Sequence, residues 1–179
     1  MKIYPISLGC AKNKVDSEVL LGNLINNPKV SLTNKMDNAD LIFINTCAFI
    51  ESAKTEAINT IFEVLDQKKP RQKVMVCGCL STRYQNEISE LIPEVDRFVA
   101  ISEYPKLKEI VNSMFTNHPF TKQVDPLNRV ITSMKESVYV KISEGCNNRC
   151  SYCAIPLIRG RFVSRNKDEV INEVNKLVN

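Results

Sequence analysis

Segments typical of buried β-strands alternate with segments typical of amphipathic helices between residues 2 and 115. The clearest strand, Leu41-Ile-Phe-Ile-Asn45, is a short apolar run of the kind that is buried on both faces. The helices show apolar residues at three- and four-residue spacing. The pattern predicts strands over 2–8, 30–33, 41–45, 73–77 and 97–100, and helices over 15–26, 51–67, 82–92 and 104–115. This alternation predicts an α/β fold in which a parallel sheet is covered by helices on both faces.

Three cysteines directly follow predicted strands. Cys10 follows the first strand, Cys47 the strand over 41–45, and Cys79 the strand over 73–77. Because the carboxyl ends of parallel strands meet at one edge of a sheet, we expect these thiols, the auxiliary triad, to form one three-thiolate site. The alternative is that they are buried cysteines acting as small apolar side chains. That alternative is our interpretation of Cys77, which lies inside a strand.

A second group of cysteines lies in one short segment, Glu144-Gly-Cys-Asn-Asn-Arg-Cys-Ser-Tyr-Cys153. Cys146, Cys150 and Cys153, the loop triad, are spaced so that one loop can wrap three thiolates around a single face of a metal centre. A closed zinc or iron–sulfur site normally takes four protein ligands. A local triad therefore favours a cluster with one open iron that can bind a small chelating molecule. A zinc knuckle or a chance grouping of thiols is the alternative.

The composition excludes several classes of protein. Seven cysteines without an export signal favour metal ligation in a reducing compartment over disulfides, so we expect a cytoplasmic protein. The 44% hydrophobic and 25% charged residues are ordinary for a globular domain, and no apolar run is long enough to span a bilayer. The net charge of +4 is too small to indicate nucleic-acid binding by itself.

The cysteine motifs resemble a known family. The CxxxCxxC spacing, with Tyr152 before its last cysteine, resembles the signature of the radical S-adenosylmethionine enzymes. Four sequence segments that contain these cysteines are similar to the motifs of the methylthiotransferase family in that superfamily. They are KISEGCNNRCSYCAIPLIRGRFVSR, SLGCAKNKVDSE, INTCAFIESAK and CGCLSTRY. The wording resembles the ribosomal-protein branch of the family more than the transfer-RNA branch, and the likeness covers nearly the whole chain.

The resemblance implies two 4Fe-4S clusters, an auxiliary cluster on the auxiliary triad and a cluster on the loop triad that binds S-adenosylmethionine. Reduction of S-adenosylmethionine would give a deoxyadenosyl radical that removes hydrogen from the substrate, and the auxiliary cluster would present the sulfur. An unactivated carbon requires such chemistry, which cofactors carry. The implied substrate is the β-carbon of an aspartate in ribosomal protein S twelve, free or in the small ribosomal subunit. A reductant such as flavodoxin or ferredoxin is the other implied partner.

Two alternative functions stay open at this point. The nearer alternative is a transfer-RNA adenosine 2-methylthiotransferase, although the local sequence motifs resemble the ribosomal-protein branch more. The more distant alternative is a non-catalytic iron–sulfur or zinc module. Cofactor spectra distinguish the latter, because a zinc protein is colourless and an electron carrier does not cleave S-adenosylmethionine.

A basic turn follows the loop triad. Arg159, Arg161 and Arg165 surround Gly160, and guanidinium groups match the geometry of carboxylates. We expect Tyr152, Arg159 and Arg161 to contribute to the S-adenosylmethionine site, or the arginines to receive an acidic substrate. The alternative is a solvated basic turn.

The predicted domain organisation has three parts. Residues 1–118 form the amino-terminal domain, 119–136 a linker, and 137–179 the start of the radical S-adenosylmethionine domain. The last part shows a strand through Val138, Val140 and Ile142 and a helix from Asn166. One strand and one helix cannot close a βα barrel, so we expect a fragment that is inactive alone. His118 lies at the linker and has no assigned role.

Overall fold

A computed structural model describes residues 1–115, 120, 123–132 and 137–178. The first region begins with β1 (Lys2–Ser7), α1 (Ala11–Ile25), β2 (Ser31–Leu32), a 3-10 turn (Met36–Asn38), β3 (Leu41–Thr46) and α2 (Glu51–Gln67). It continues with β4 (Lys73–Gly78), α3 (Cys79–Arg83), α4 (Gln85–Leu91), β5 (Arg97–Val99), a 3-10 helix (Ile101–Lys106) and α5 (Leu107–Met114). His118 lies outside the described residues.

The five strands form one sheet in the order β2-β1-β3-β4-β5, and every neighbouring pair is parallel. This arrangement confirms the predicted α/β fold. The chain places β2 on one side of β1, and then adds β3, β4 and β5 in turn on the other side. In doubly wound sheets, ligands bind beyond the carboxyl ends of the strands where the order reverses in this way.

The sheet separates two apolar clusters. Successive side chains of a strand point to opposite faces, so Ile44 and Val76 pack on the side of α2, α3 and α4. Phe43 and Met75 pack on the side of α1 and α5. Every residue of β3 is buried, which is the physical reason for its continuous apolar run.

Three predicted helices differ in detail from the structure. Helix α1 begins at Ala11, four residues before the predicted start, so Asp16 and Ser17 lie in its second turn and do not cap it. The predicted helix over 82–92 is split into α3 and α4 at Tyr84, where the backbone leaves the helical region (φ −130°, ψ 30°). The predicted helix over 104–115 starts as a 3-10 helix that contains Pro105, which cannot donate a main-chain hydrogen bond.

The second region contains β6 (Ser143–Glu144), α6 (Ile155–Arg159), β7 (Val163–Ser164) and α7 (Lys167–Val178). β6 and β7 pair antiparallel. The strand predicted through Val138, Val140 and Ile142 is wrong in position, because in the described chain regular pairing starts only at Ser143. A strand forms where a partner offers hydrogen bonds, and β7 lies opposite Ser143 and Glu144. That this region opens a βα barrel stays a prediction.

A buried ion network joins the two regions. Arg129 forms ion pairs with Glu18 of α1 and Glu173 of α7, both at 2.5 Å. Arg165 also pairs with Glu173, and Thr132 donates to Glu18 from its amide at 2.9 Å. Described residues of the predicted linker therefore lie against α1, while the predicted domain boundaries stay a prediction. Among the described residues, no helix has both the length and the apolar character that crossing a membrane requires.

Candidate metal centres

The structure brings the auxiliary triad to the start of α1, where two of its three thiols approach the side chain of Asn13. The thiol of Cys79 donates to Asn13 Oδ1 at 3.5 Å, and the thiol of Cys10 approaches the same oxygen at 3.9 Å. The thiols of Cys47 and Cys79 interact closely enough to shift each other's pKa. Cys47 and Cys79 are buried and Cys10 is exposed. The three thiols thus lie at the carboxyl edge of the sheet, beside β1, β3 and β4.

Asn13 is fixed by contacts with the ends of two strands. Its Nδ2 donates to the carbonyl of Thr46 at 2.8 Å and to that of Leu8 at 3.3 Å. Its own carbonyl accepts from Asn45 Nδ2 at 2.9 Å. These bonds hold the start of α1 against the ends of β1 and β3 and leave Asn13 Oδ1 facing the thiols.

Close backbone approach explains why glycine precedes the cysteines. Gly9 and Gly78 both have positive φ, at +90° and +99°, a region that residues with a Cβ rarely enter. A Cβ on Gly9 would lie 2.5 Å from Cys47 Cβ and 3.2 Å from its sulfur. The backbone before Cys10 therefore packs directly on Cys47, and a larger residue would separate the two cysteines.

The environment of Cys47 and Cys79 favours a thiolate. The hydrogen bond from Cys79 lowers the pKa of Cys47 to about 6, with smaller contributions from main-chain amides and from the charge of Arg159. The second proton of the pair is held more tightly, since removing it would place two thiolates side by side. Metal ligation uses the thiolate form, so Cys47 is the member of the pair whose charge state favours a cation, whereas the neighbouring Cys47 and burial raise the pKa of Cys79.

Cys77 lies in a different environment. It is fully buried in the apolar cluster on the α1 and α5 side, together with Met75. Burial raises the pKa of its thiol, which opposes thiolate formation. Cys79 belongs to the cluster on the other face of the sheet. The interpretation of Cys77 as a buried, small apolar side chain inside a strand is therefore confirmed, while the ligand role of Cys79 stays a prediction.

The loop triad lies in a more open environment. Cys150 is exposed, and Cys146 and Cys153 are half-buried. The loop is closed by main-chain bonds from Cys146 to Gly160 at 3.1 Å and from Cys153 to Cys150 at 3.0 Å. A cavity of about 510 Å³ lies beside it. Its lining residues are Cys146, Asn147, Arg149, Pro156, Arg161 and Phe162.

The three residues predicted to contact S-adenosylmethionine lie in different places. Tyr152 is highly exposed at 86%, and Arg161 lines the cavity beside the loop triad. Arg159 is buried, with a side chain only 2% exposed, and its donors are occupied by other side chains. A role for each of them in binding that cofactor stays a prediction.

Arg159 lies between the two groups of cysteines. Its guanidinium pairs with Asp16 at 3.0 Å and with Glu144 at 3.1 Å. The same guanidinium donates to Asn13 Oδ1 at 2.7 Å and lies 4.0 Å from the sulfur of Cys79. The carboxyl group of Glu144, two residues before the loop triad, is therefore connected through one side chain to the auxiliary triad.

Two lysines complete this charged cluster. Lys141 pairs with Asp16 at 2.6 Å and with Glu144 at 2.8 Å, and Lys12 pairs with Glu144 at 3.3 Å. Burial alone would raise the pKa of Glu144, but Lys141, Arg159 and Lys12 outweigh it and lower that pKa to about 2. The carboxyl group is thus ionised at neutral pH, with three cations against two carboxylates.

The donor set fits iron–sulfur chemistry at both places. In the part of the chain that the structure describes, no three His, Cys, Asp or Glu side chains are arranged to hold a metal ion as they stand. The groups present are nevertheless thiols, the ligands of iron–sulfur clusters. In the auxiliary triad, Cys10 and Cys79 approach one amide oxygen, Cys47 packs against the backbone of Gly9, and a buried cation lies beside Cys79. In the loop triad, Cys146 borders an open cavity.

Sequence reasoning did not identify Asn13, Asp16, Lys141 and Glu144 as site residues. Asn13 and Asp16 stand in the SLGCAKNKVDSE motif, and Lys141 and Glu144 stand in the motif of the loop triad. Asn13 and Asp16 are polar and yet buried on α1, which is the signal that points to them. Their partners in the second region, Arg159 for Asn13 and Lys141 for Asp16, lie 146 and 125 positions away, so local periodicity cannot pair them.

Comparison with known proteins defines the class. Residues 2–100 match the profile described as "Uncharacterized protein family UPF0004". This segment contains all five strands of the parallel sheet and the auxiliary triad. The chain belongs to this family.

The similar curated proteins point to a particular branch. "Ribosomal protein uS12 methylthiotransferase RimO" of Clostridium novyi (strain NT) is 42% identical over 99% of this chain and 41% of its own length. The proteins of the same name from Helicobacter acinonychis (strain Sheeba) and Aliarcobacter butzleri (strain RM4018) are 49% and 43% identical, over 97% and 98% of this chain. Both matches cover 39% of the relative's own length. The chain thus spans about two fifths of these relatives, and the resemblance to the ribosomal-protein branch of the methylthiotransferases is confirmed.

Proposed function

We propose that the protein carrying this chain transfers a methylthio group to an unactivated carbon, the β-carbon of an aspartate in ribosomal protein uS12, by radical S-adenosylmethionine chemistry. The observation that supports this proposal most strongly is the juxtaposition of two thiol triads across one charged cluster. A zinc knuckle has no need for two such groups. The names of the relatives support uS12 as substrate, free or in the small ribosomal subunit.

Each triad has its own role in the proposal. Cys10, Cys47 and Cys79 hold an auxiliary 4Fe-4S cluster, and the loop triad holds a second 4Fe-4S cluster to which S-adenosylmethionine binds. When bound, these groups supply the radical and the sulfur that the side chains cannot supply. The chain's own residues orient the ligands, keep the thiols of Cys47 and Cys79 away from water and connect the two sites through Arg159.

Tyr152 and Arg161 belong to the proposed S-adenosylmethionine side. Arg161 lines the cavity next to Cys146, where a guanidinium can pair with the carboxylate of an amino-acid ligand. Tyr152 is exposed between Cys150 and Cys153, where the proposal gives its aromatic ring a contact with the same ligand. We place the reaction in the cytoplasm, with a flavodoxin or ferredoxin as electron donor, because exposed thiols require a reducing compartment.

The substrate is tested in a strain that lacks the gene. Mass spectrometry of uS12 and of transfer RNA should show loss of the methylthio increment from the ribosomal protein and unchanged transfer RNA. Complementation with the parent gene or with Cys77→Ala should restore the increment, whereas Cys79→Ala or Cys150→Ala should not. Loss of the modification from transfer RNA instead would assign the protein to the other branch. If deletion of the gene changed the modification of neither uS12 nor transfer RNA, methylthio transfer would be contradicted.

A further inference from the structure

A cation from the second region of the chain lies beside the auxiliary triad. Arg159 belongs to α6, whereas the auxiliary triad and Asn13 belong to the first region. Its guanidinium is 2% exposed and lies 4.0 Å from the sulfur of Cys79. The same guanidinium donates to Asn13 Oδ1 at 2.7 Å, the amide oxygen that the thiols of Cys10 and Cys79 approach.

We infer that Arg159 is a positioning residue of the auxiliary metal centre, which orients Asn13 toward the thiols and supplies positive charge to a thiolate-bound cluster. The inference rests on the proposed function, because it takes the auxiliary triad as cluster ligands. It gives the arginine a role apart from contact with S-adenosylmethionine. It also means that the centre is complete only when the second region is docked on the first.

The orientation step follows from the hydrogen bonds of Asn13. Arg159 donates to Asn13 Oδ1 at 2.7 Å, while Nδ2 donates to the carbonyls of Leu8 and Thr46. An amide with both ends engaged has one favoured orientation. The oxygen is thereby held toward Cys10 and Cys79, and the ends of β1 and β3 are held at a fixed separation.

The charge step follows from the composition of the cluster around Arg159. Its carboxylate partners Asp16 and Glu144 also bind Lys141, and Lys12 pairs with Glu144. Three cations and two carboxylates leave one net positive charge beside three thiols. Thiolates bound to iron carry negative charge, and hydrogen bonds and net charge near the sulfurs set the reduction potential of such clusters. A cation at this place stabilises the reduced, more negative state.

The experiment isolates one cluster and changes one charge. In the 179-residue chain, the loop triad is replaced by alanine, iron and sulfide are reconstituted anaerobically, and the midpoint potential is measured by a spectroscopically monitored titration. Arg159→Gln should shift the potential to more negative values, and Arg159→Lys, which keeps the charge, should stay near the parent. Arg97→Gln is the matched control, because it removes the same charge from a half-exposed ion pair with Glu103 in which no thiol takes part.

The outcomes separate this inference from the proposed function. A parent that loads no iron on the auxiliary triad overturns the proposed function. A parent that loads iron and has the same potential as Arg159→Gln overturns the inference alone. Loss of iron from a natively folded Arg159→Gln variant, with retention in Arg159→Lys, supports it, whereas equal loss from both overturns the role of charge.

A second pair of variants applies if Arg159→Gln does not fold. Asp16→Asn with Arg159→Gln removes both members of the buried pair, and losing a whole pair is far less costly than losing one member. Its potential should be more negative than that of Asp16→Asn alone. Equal potentials in these two variants would overturn the inference.

Discussion

The two thiol triads differ in how the chain builds them. The auxiliary triad is collected from the ends of three strands, and two of its thiols are buried around one fixed amide. The loop triad comes from eight consecutive residues, and its loop is closed mainly by short-range main-chain bonds beside an open cavity. The first site is therefore a property of the folded sheet, whereas the second is a property of a local loop.

This difference shows which parts of a metal site the fold prepares in advance. At the auxiliary triad, the backbone approach at Gly9, the Asn13 bonds and the Arg159 cation restrain the thiols through the fold itself. The loop triad has exposed neighbours, among them Tyr152 and Leu157, and few contacts that restrain its thiols. Mutations should therefore affect folding and ligand binding together at the first site, and mainly ligand binding at the second.

Removing the ion network between the regions should give the largest loss of stability. Arg129→Met takes the shared cation from two buried carboxylates, Glu18 and Glu173, which costs about 3–5 kcal/mol when one partner of a buried pair is removed. The exposed pair of Arg97 and Glu103 provides the control, because Arg97→Met should cost about 1 kcal/mol or less. Urea unfolding of both variants measures the difference. Equal losses would show that the network does not hold the two regions together.

Alanine substitution of one glycine in each region should cost less stability than Arg129→Met, and the cost should differ between the two regions. A Cβ on Gly78 would lie 2.3 Å from Asn45 Oδ1 and 2.4 Å from the carbonyl of Thr46, at a φ of +99°. Strain and crowding together should cost about 3 kcal/mol in Gly78→Ala. Gly160 also has positive φ but nothing within 4 Å, so Gly160→Ala should cost about 1–2 kcal/mol. Thermal or urea unfolding tests the order, and the reverse order would contradict the account of a preformed first site.

The sequence predicts the sheet and the longest helix well because these elements follow simple periodicity. The helix predicted over 51–67 has the observed bounds of α2, and the apolar runs of β3 and β4 are the two central strands. The start of α1 could not be predicted in this way. Its first turns are polar and yet buried, since Asn13 and Asp16 face strand ends and a distant arginine.

The site shows the same division between local and distant information. The strand-end positions of the auxiliary triad follow from topology, which a strand–helix alternation reveals. The burial of Arg159 does not follow from topology, because the local sequence of an arginine beside a glycine in a basic turn predicts a solvent-exposed side chain. Only the fold shows that Asp16 and Glu144 lie beside it.

The pH dependence of stability should give a smaller effect that reports on the contact between the regions. Burial would raise the pKa of Glu18, but bonds from Arg129 and Thr132 outweigh it and hold the pKa below its ordinary value of 4.5. A lowered pKa in the folded state contributes stability that is present above 4.5 and is lost as the pH falls through the folded value. Urea unfolding between neutral and acidic pH should therefore show a shallower acid loss for Glu18→Gln. Glu56→Gln, an exposed change in α2, serves as the control, and identical slopes in the two variants would contradict this assignment.

The most direct test of the central claim compares two neighbouring cysteines of the first region. With the loop triad replaced by alanine, iron per chain is measured after anaerobic reconstitution of Cys79→Ala and Cys77→Ala. Cys79 contacts Asn13 at the sheet edge, and Cys77 lies buried beside Met75. The account predicts that Cys79→Ala loses the auxiliary iron, while Cys77→Ala retains it and loses only packing stability of about 1 kcal/mol. Retention of iron by Cys79→Ala, with its loss from Cys77→Ala, would contradict the claim that the sheet edge forms the site.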